Sequence, residues 1–314
     1  MPWWFFRRKR PTVPQSSSPS VSDASESTQF SSWANVTTLP DRADTDQRRY
    51  LEEQPYLLPK DLQEVNRLDF QHYVLRAALR RNYLAPIQTP RQILDVGCGT
   101  GQWASELARE FPRASVVGLD VEEAKQQTAP PPNYRFVKGD VLNGLPFPDH
   151  SFDFVHQRFL WTALPLAAWP RVVQELARVT APGGWVELLE PGLEAAPMGP
   201  THRQLDAMIK ELAALRGLDG EGAVTASLGR YLWEAGLSQV QRHVIEVPFG
   251  DWGGRIGSLL ALDFREFALA LSGAATKRFQ LSQQQYQALV QTMLQECNEL
   301  KTMYHFVAAY GRKL

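Results

Sequence analysis

The stretch Ile93-Leu94-Asp95-Val96-Gly97-Cys98-Gly99-Thr100-Gly101-Gln102-Trp103 decides the fold. Three apolar residues around one acid predict a short buried strand. A glycine-dense turn follows, and then Trp103, Ala104, Leu107, Ala108 and Phe111 recur at helical spacing until Pro112 ends the run. Strand, glycine loop and helix form a cradle for a nucleotide-like ligand. Glycines let the backbone approach the ligand, and the helix start offers unpaired N–H groups.

The spacing selects among ligands. A dinucleotide fingerprint needs glycines at the first, third and sixth positions. Counted from Gly97, the third position is Gly99, but the sixth is Gln102 and Gly101 falls at the fifth. Asp95 would also face a pyrophosphate with a negative charge. A ligand with an ammonium group and a carboxylate but no phosphate, such as S-adenosylmethionine, suits this loop better than NAD. No Gly-Lys-Ser/Thr follows, so a P-loop is excluded.

Downstream, Val116-Val117-Gly118-Leu119 reads as a second strand ending in Asp120, about 20 residues past the loop, where a ribose would be held by its two hydroxyls. After a short helical stretch and Pro130-Pro131-Pro132, a third strand runs from Tyr134 to Lys138. Gly139-Asp140-Val141 closes it with another acid, suited to an exocyclic amine, with Val141 beside the ring. Leu145 to Asp149 is a turn into a fourth strand, Phe152 to His156. Leu166 to Thr180 is helical, and after Pro182-Gly183-Gly184 a fifth strand runs from Trp185 to Leu189, ending in Glu190-Pro191. Strands alternating with helices imply parallel pairing, and the acids and glycines all fall at strand carboxyl ends, where an open α/β sheet binds ligands.

Upstream, Leu62, Val65, Leu68, Leu75 and Leu79 mark one face of a helix starting near Lys60. Its other face, with Asn66, Arg67, Asp69, Gln71 and His72, reads first as solvated. Because this helix directly precedes the glycine-loop strand, Arg67 is also placed to meet a carboxylate of the ligand. Residues from about Pro11 to Asp46 are rich in Ser, Thr, Pro and Asp, and predict a disordered tail over 1–49. The Trp3-Trp4-Phe5-Phe6 and Arg7-Arg8-Lys9-Arg10 block has the wrong order for a secretory signal; it suits weak contact with a membrane surface or a plain tail.

The later part is mostly helical, around Leu205 to Leu215, Leu228 to Ala235, Gly254 to Ser272 and Ser282 to Leu300. Strands are predicted at Val240 to Val247 and Tyr304 to Tyr310. The helices between those two strands read as an insertion that builds a lid. The ordered domain therefore spans 50–314: a helical part over 50–90, a ligand-binding core over 91–191, and a helical cover with the last two strands over 192–314.

The totals set outer limits. A chain of 314 residues with 44% hydrophobic content can fill a substantial core, and a net charge of −1 gives no general attraction to nucleic acid. Cys98 and Cys297 are far apart, with no CxxC or Cys/His cluster, so neither a metal site nor a disulfide framework is expected. Cys98 reads as a small residue in a tight turn. No apolar run is long enough to span a membrane, and a cytoplasmic location is expected.

With the loop, Asp120, Asp140, the turn and strand Phe147-Pro148-Asp149-His150-Ser151-Phe152-Asp153, and Ala181-Pro182-Gly183-Gly184-Trp185 assembled, the chain resembles class I S-adenosylmethionine-dependent methyltransferases over roughly Ile93 to Glu190. It is similar in particular to the LaeA-like and trans-aconitate-methyltransferase-like branch, in Asn66-Arg67-Leu68-Asp69-Phe70-Gln71-His72, Gly101-Gln102-Trp103-Ala104 and Tyr310-Gly311-Arg312-Lys313. The resemblance implies a Rossmann-like three-layer α/β/α fold with a seven-stranded mixed sheet whose last strand is antiparallel. It also implies that Asp95 with the backbone of Gly97, Gly99 and Gly101 holds the methionine part of S-adenosylmethionine. Asp120 and Val121 would hold the ribose, Asp140 with Val141 the adenine, and Gln157 and Arg67 would complete the site. His156, Gln157 and Arg158 would face the methyl group.

An alcohol or amine acceptor needs a base where a carboxylate does not; His156 and His202 are the histidine candidates, each weighed against an ordinary structural role. The fourth strand ends in His156-Gln157-Arg158, not in an Asp/Asn-Pro-Pro-Tyr pattern, which argues against amide or nucleobase nitrogen as acceptor. Arg158 suits an acidic substrate or a salt bridge. Methyl transfer to a small molecule, with oxygen preferred, leads the readings. A protein-modifying or regulatory member of the same fold is the alternative. An NAD-dependent reductase is disfavoured by Gln102 and by the lack of a Tyr-x-x-x-Lys pair near the fourth strand.

Overall fold

The structure, a computed structural model, describes residues 56–59, 62–123 and 129–314, with the backbone alone at Leu62, Gln63, Leu193 and Glu194. The N-terminal tail with its Trp3–Arg10 block, and most of the short helical stretch after Asp120, lie outside those residues.

Helix α1 (Leu62–Leu79) leads into β1 (Gln92–Val96), the glycine loop and α2 (Gln102–Glu110). Then come β2 (Ser115–Asp120), β3 (Tyr134–Lys138), β4 (Phe152–Arg158), α3 (Trp169–Val179) and β5 (Thr180–Ala196). Helices α4 (Pro200–Ala214) and α5 (Ala223–Glu234) precede β6 (Leu237–Pro248). Helices α6 (Gly254–Ala270), α7 (Ser272–Phe279) and α8 (Gln283–Leu300) separate β6 from β7 (Met303–Lys313). The seven strands form one sheet in the order β3-β2-β1-β4-β5-β7-β6, with β7 antiparallel to both of its neighbours.

The sheet divides its apolar side chains between two faces. Ile93 pairs with Val116 and Phe154, and this face packs on Trp103, Leu107 and Ala108 of α2. Leu94 and Val96 pair with Val117, Leu119 and Val155, and this face joins the larger core with Val172, Val173 and Leu176 of α3. Strands buried on both sides read as continuous apolar runs, as β1 does apart from Asp95. Helices on both faces make three layers, the architecture the sequence predicts.

Three local differences have physical causes. Strand β5 continues past Pro191 to Ala196 because β7 pairs alongside it, with an irregularity between Pro191 and Ala195. A separate helix, α7, follows α6 with only Leu271 between them. The face of α1 expected to be solvated is largely buried: Arg67 is 4% exposed and His72 1%. Several of its polar groups meet partners on α2 and α6. His72 Nε2 lies 3.2 Å from Glu106, and Arg67 pairs with Asp263.

Among the described residues, no helix is long and apolar enough to cross a membrane.

Candidate functional site

The carboxyl ends of β1, β2 and β3 open into a cavity of about 970 Å³, counting the space open to solvent. Gly97 and Gly99 line it, as do Asp120, Val121, Asp140, Val141 and Arg158. Seven of the residues singled out from sequence thus meet on one surface.

The loop has the backbone that its composition requires. Gly97, Gly99 and Gly101 have φ of 70°, 55° and 72°, a left-handed region open to glycine at little cost. The N–H groups of Gly97 and Cys98 both donate to the Leu119 carbonyl, at 2.8 and 3.0 Å, which folds the loop onto the end of β2. Gly99 N–H donates to Asp120 Oδ2 at 2.9 Å, so Asp120 both faces the cavity and fixes the loop. A Cβ on Gly97 would stand 2.5 Å from Leu160 Cδ2, which shows how closely the roof approaches the floor. Cys98 is buried against Gly118, where an added Cβ would meet its Sγ at 2.9 Å. Burial pushes its thiol pKa well up, which fits a small packing residue in the turn.

Asp140 is set by its own backbone. Its Oδ1 accepts from Leu142 N–H at 2.9 Å and its Oδ2 from Asn143 Nδ2 at 3.2 Å, capping the short 3-10 turn Val141–Asn143. The roof segment Phe159–Leu164 is held by Glu190, whose two oxygens accept from Leu160 and Trp161 N–H at 2.9 and 3.2 Å. Burial raises the Glu190 pKa to about 8, despite those two bonds.

Other expected site residues are turned elsewhere. The Asp95 carboxylate points into the sheet–α2 layer, where Oδ1 accepts from His156 Nδ1 at 2.9 Å. The His156 ring stacks on Trp103, with centroids 3.8 Å apart and planes 7° apart. Asp95 and His156 share one face because they are register partners on β1 and β4. Burial lowers the His156 pKa although Asp95 opposes the shift, so the ring is held neutral. Neither side chain lines the cavity. Gln157 is fully buried on the opposite face, beside Val96 and Leu188 in register. Gly101 serves as the residue before α2. The other base candidate, His202, is buried at the start of α4, with Nδ1 3.4 Å from Cys297 Sγ.

Arg158 does reach the cavity, and its Nη2 lies 3.1 Å from His72 Nδ1. The residues gathered here fit S-adenosylmethionine: two carboxylates for hydroxyl and amine groups, apolar side chains for a base, one guanidinium for a carboxylate, and a glycine floor that a Cβ would obstruct.

A second cavity, of about 590 Å³, shares Tyr56, Leu68, Gln71 and Phe159 with the first. Arg67 lines this one instead. Its Nη1 donates to Asp263 Oδ1 at 2.9 Å, while Nε and Nη2 donate to Glu64 at 2.9 and 2.7 Å. A guanidinium so engaged does not wait for a ligand carboxylate, which corrects the expectation for Arg67. Sequence reasoning missed Asp263, Phe264 and Phe267 of α6 and the roof residues Phe159 to Leu164. The signal for α6 was present: Leu260, Asp263, Phe264 and Phe267 follow helical spacing, and an acid within an apolar stripe asks for a buried partner. Among the described residues, no group of three or more His, Cys, Asp or Glu is placed to hold a metal ion.

An open α/β sheet with a glycine loop after β1 and acids at the ends of β2 and β3 defines a Rossmann-like nucleoside-binding protein. Residues 93–184 match the family model described as a methyltransferase domain. "Methyltransferase pytC" of Aspergillus terreus is 31% identical over 224 residues, covering 67% of this chain and 68% of the relative. "N-methyltransferase sirN" of Leptosphaeria maculans is 29% identical, covering 69% and 78%. "Secondary metabolism regulator laeA" of Aspergillus fumigatus is 28% identical, covering 63% and 54%. The chain belongs to the class I S-adenosylmethionine-dependent methyltransferases.

Proposed function

We propose that this enzyme methylates a small-molecule acceptor, at oxygen in preference to carbon or nitrogen. The observation that carries the reading is the adjacency of the two cavities: the glycine-loop cavity and an aromatic-walled pocket share Tyr56, Leu68, Gln71 and Phe159 as lining. A pocket lined mostly by apolar and aromatic side chains, with a few polar groups, suits a small organic molecule.

In this reading, the backbone of Gly97 and Gly99 supports the methionine part of the cofactor, with Arg158 against its carboxylate. Asp120 and Val121 take the ribose, and Asp140 with Val141 the adenine. When bound, S-adenosylmethionine would supply an activated methyl group whose carbon–sulfur electron pair stays with the departing sulfur, and the acceptor's hydroxyl proton would be released to solvent. The protein's contribution is to hold the acceptor in line and exclude competing solvent; such positioning can be worth roughly 7–11 kcal/mol. Among the described residues no histidine lines either cavity, so no imidazole is assigned as a base. Residues 192–314 act as the acceptor cover, since α6 supplies Leu260, Asp263, Phe264 and Phe267 to the second cavity. The reaction is placed in the cytoplasm, with no nucleic-acid partner.

A regulatory or protein-modifying role is the second reading, favoured by the similarity to a relative named as a regulator of secondary metabolism. Incubation with methyl-labelled cofactor and fractionated extract of the source cell separates the two. Label in a low-molecular-weight product supports the first; label confined to protein refutes it.

A further inference from the structure

The wall of the second cavity is a continuous chain of aromatic rings drawn from three parts of the fold. Trp161 of the roof contacts Phe267 at 6.0 Å between centroids, and Phe267 contacts Phe264 at 5.8 Å. Phe264 then contacts Tyr304 of β7 at 6.5 Å, Tyr304 contacts Phe306 at 5.3 Å, and Phe306 returns to Phe159 of the roof at 5.7 Å. The pairs are tilted or edge-on, so the belt is formed by edges and faces together, the arrangement that receives another ring well.

Charge in the same cavity has a defined sign. Arg67 gives three N–H groups to two carboxylates, Glu64 and Asp263, and Gln71 Nε2 lies 3.3 Å from the remaining Asp263 oxygen. One guanidinium against two carboxylates leaves a cluster that repels an anion. An anionic ligand would also lose its hydration without gaining an uncommitted cation, which is a costly exchange in a buried site.

We infer that this cavity binds a flat aromatic methyl acceptor without negative charge, stacked within the belt, with its nucleophilic atom directed past Gln71 and Leu68 toward the glycine-loop cavity. The inference rests on the methyl-transfer reading and adds the acceptor's chemical class. Carboxylic acids, the acidic substrates that Arg158 suits, are excluded as acceptors by the same cluster.

Calorimetry on the full chain tests this in two stages. S-adenosylhomocysteine is titrated first, and failure to bind it counts against the methyl-transfer reading itself. The saturated protein is then titrated at pH 7 with 1-naphthol, 1-naphthoate and cyclohexanol. Naphthol should bind at least tenfold more tightly than either of the others. Equal or tighter naphthoate binding, equal cyclohexanol binding, or no saturable naphthol binding overturns the inference. Asp263→Asn should raise the ratio of naphthoate to naphthol affinity at least tenfold, because it removes one of the two carboxylates held by Arg67. Glu64→Gln makes the same test from the other side of the guanidinium should the first variant fail to fold. An unchanged ratio in the folded variant contradicts the role given to the cluster. Phe264→Ala, which opens the belt at its centre, should weaken naphthol at least fivefold; undiminished affinity would place the ring elsewhere.

Discussion

His156 donates its Nδ1–H to Asp95 at 2.9 Å, inside the layer between the sheet and α2 and away from both cavities. A carboxylate only accepts, so the proton sits on Nδ1. The pair is formed by strand register, since Asp95 and His156 face each other across β1 and β4. Its task is to give a buried acid immediately before the glycine loop a hydrogen-bond donor, and the stacked Trp103 keeps the ring in place.

His156→Phe should therefore damage stability more than chemistry. Phenylalanine preserves a ring against Trp103 but leaves the buried Asp95 carboxylate without its donor, a loss of about 1–3 kcal/mol or more for a buried acceptor left unsatisfied. Thermal and denaturant unfolding would measure it. The pH at which turnover reaches half its maximum should stay where it is in the wild type. A displaced or abolished limb in that profile would restore His156 as a base.

Gly97→Ala should lose both stability and cofactor affinity. An L side chain at φ 70° costs about 1–2 kcal/mol, and its Cβ would lie 2.5 Å from Leu160. The end of the Leu160 side chain can turn aside, so most of the loss comes from the left-handed backbone at this position. A melting temperature and an S-adenosylhomocysteine affinity both equal to the wild type would show that the loop does not hold that left-handed backbone.

Glu190 gives the fold a pH dependence of known sign. Its folded pKa of about 8 lies above the ordinary 4.5, so the folded state holds a proton that the unfolded state releases between those values. Stability from this group is full below about pH 4.5 and falls as the pH rises toward 8. Glu190→Gln should flatten that part of the stability–pH curve. It should also cost about 1–3 kcal/mol at low pH, because one of the two backbone donors then meets an amide N–H. Denaturant melts of both proteins from pH 5 to 8 test the slope; parallel curves would contradict it.

The sheet, the glycine turn and the placing of acids at strand ends were legible because they follow short-range rules. Gly97 and Gly99 announce a turn, and Asp120 and Asp140 end apolar strands of defined length. The direction of Asp95 was not legible, since it depends on which residue of β4 lies beside it, a fact of register between segments 61 residues apart. Arg67 was misjudged for the same reason: its partner Asp263 is 196 residues away, on a helix whose docking against α1 no local pattern specifies. The aromatic belt draws on β4's exit, α6 and β7, so only the folded chain brings its rings together.

In the proposed function, Asp120 holds the cofactor at the glycine loop. Asp120→Asn isolates that role, because the amide oxygen can still accept from Gly99 N–H while the charge and one ligand acceptor are lost. Calorimetric titration of S-adenosylhomocysteine into the wild type and this variant is the most direct test. One saturable site is expected in the wild type and an affinity at least tenfold lower in the variant, with melting temperatures in the absence of ligand differing by only a few degrees. Equal affinity in the two proteins would contradict it.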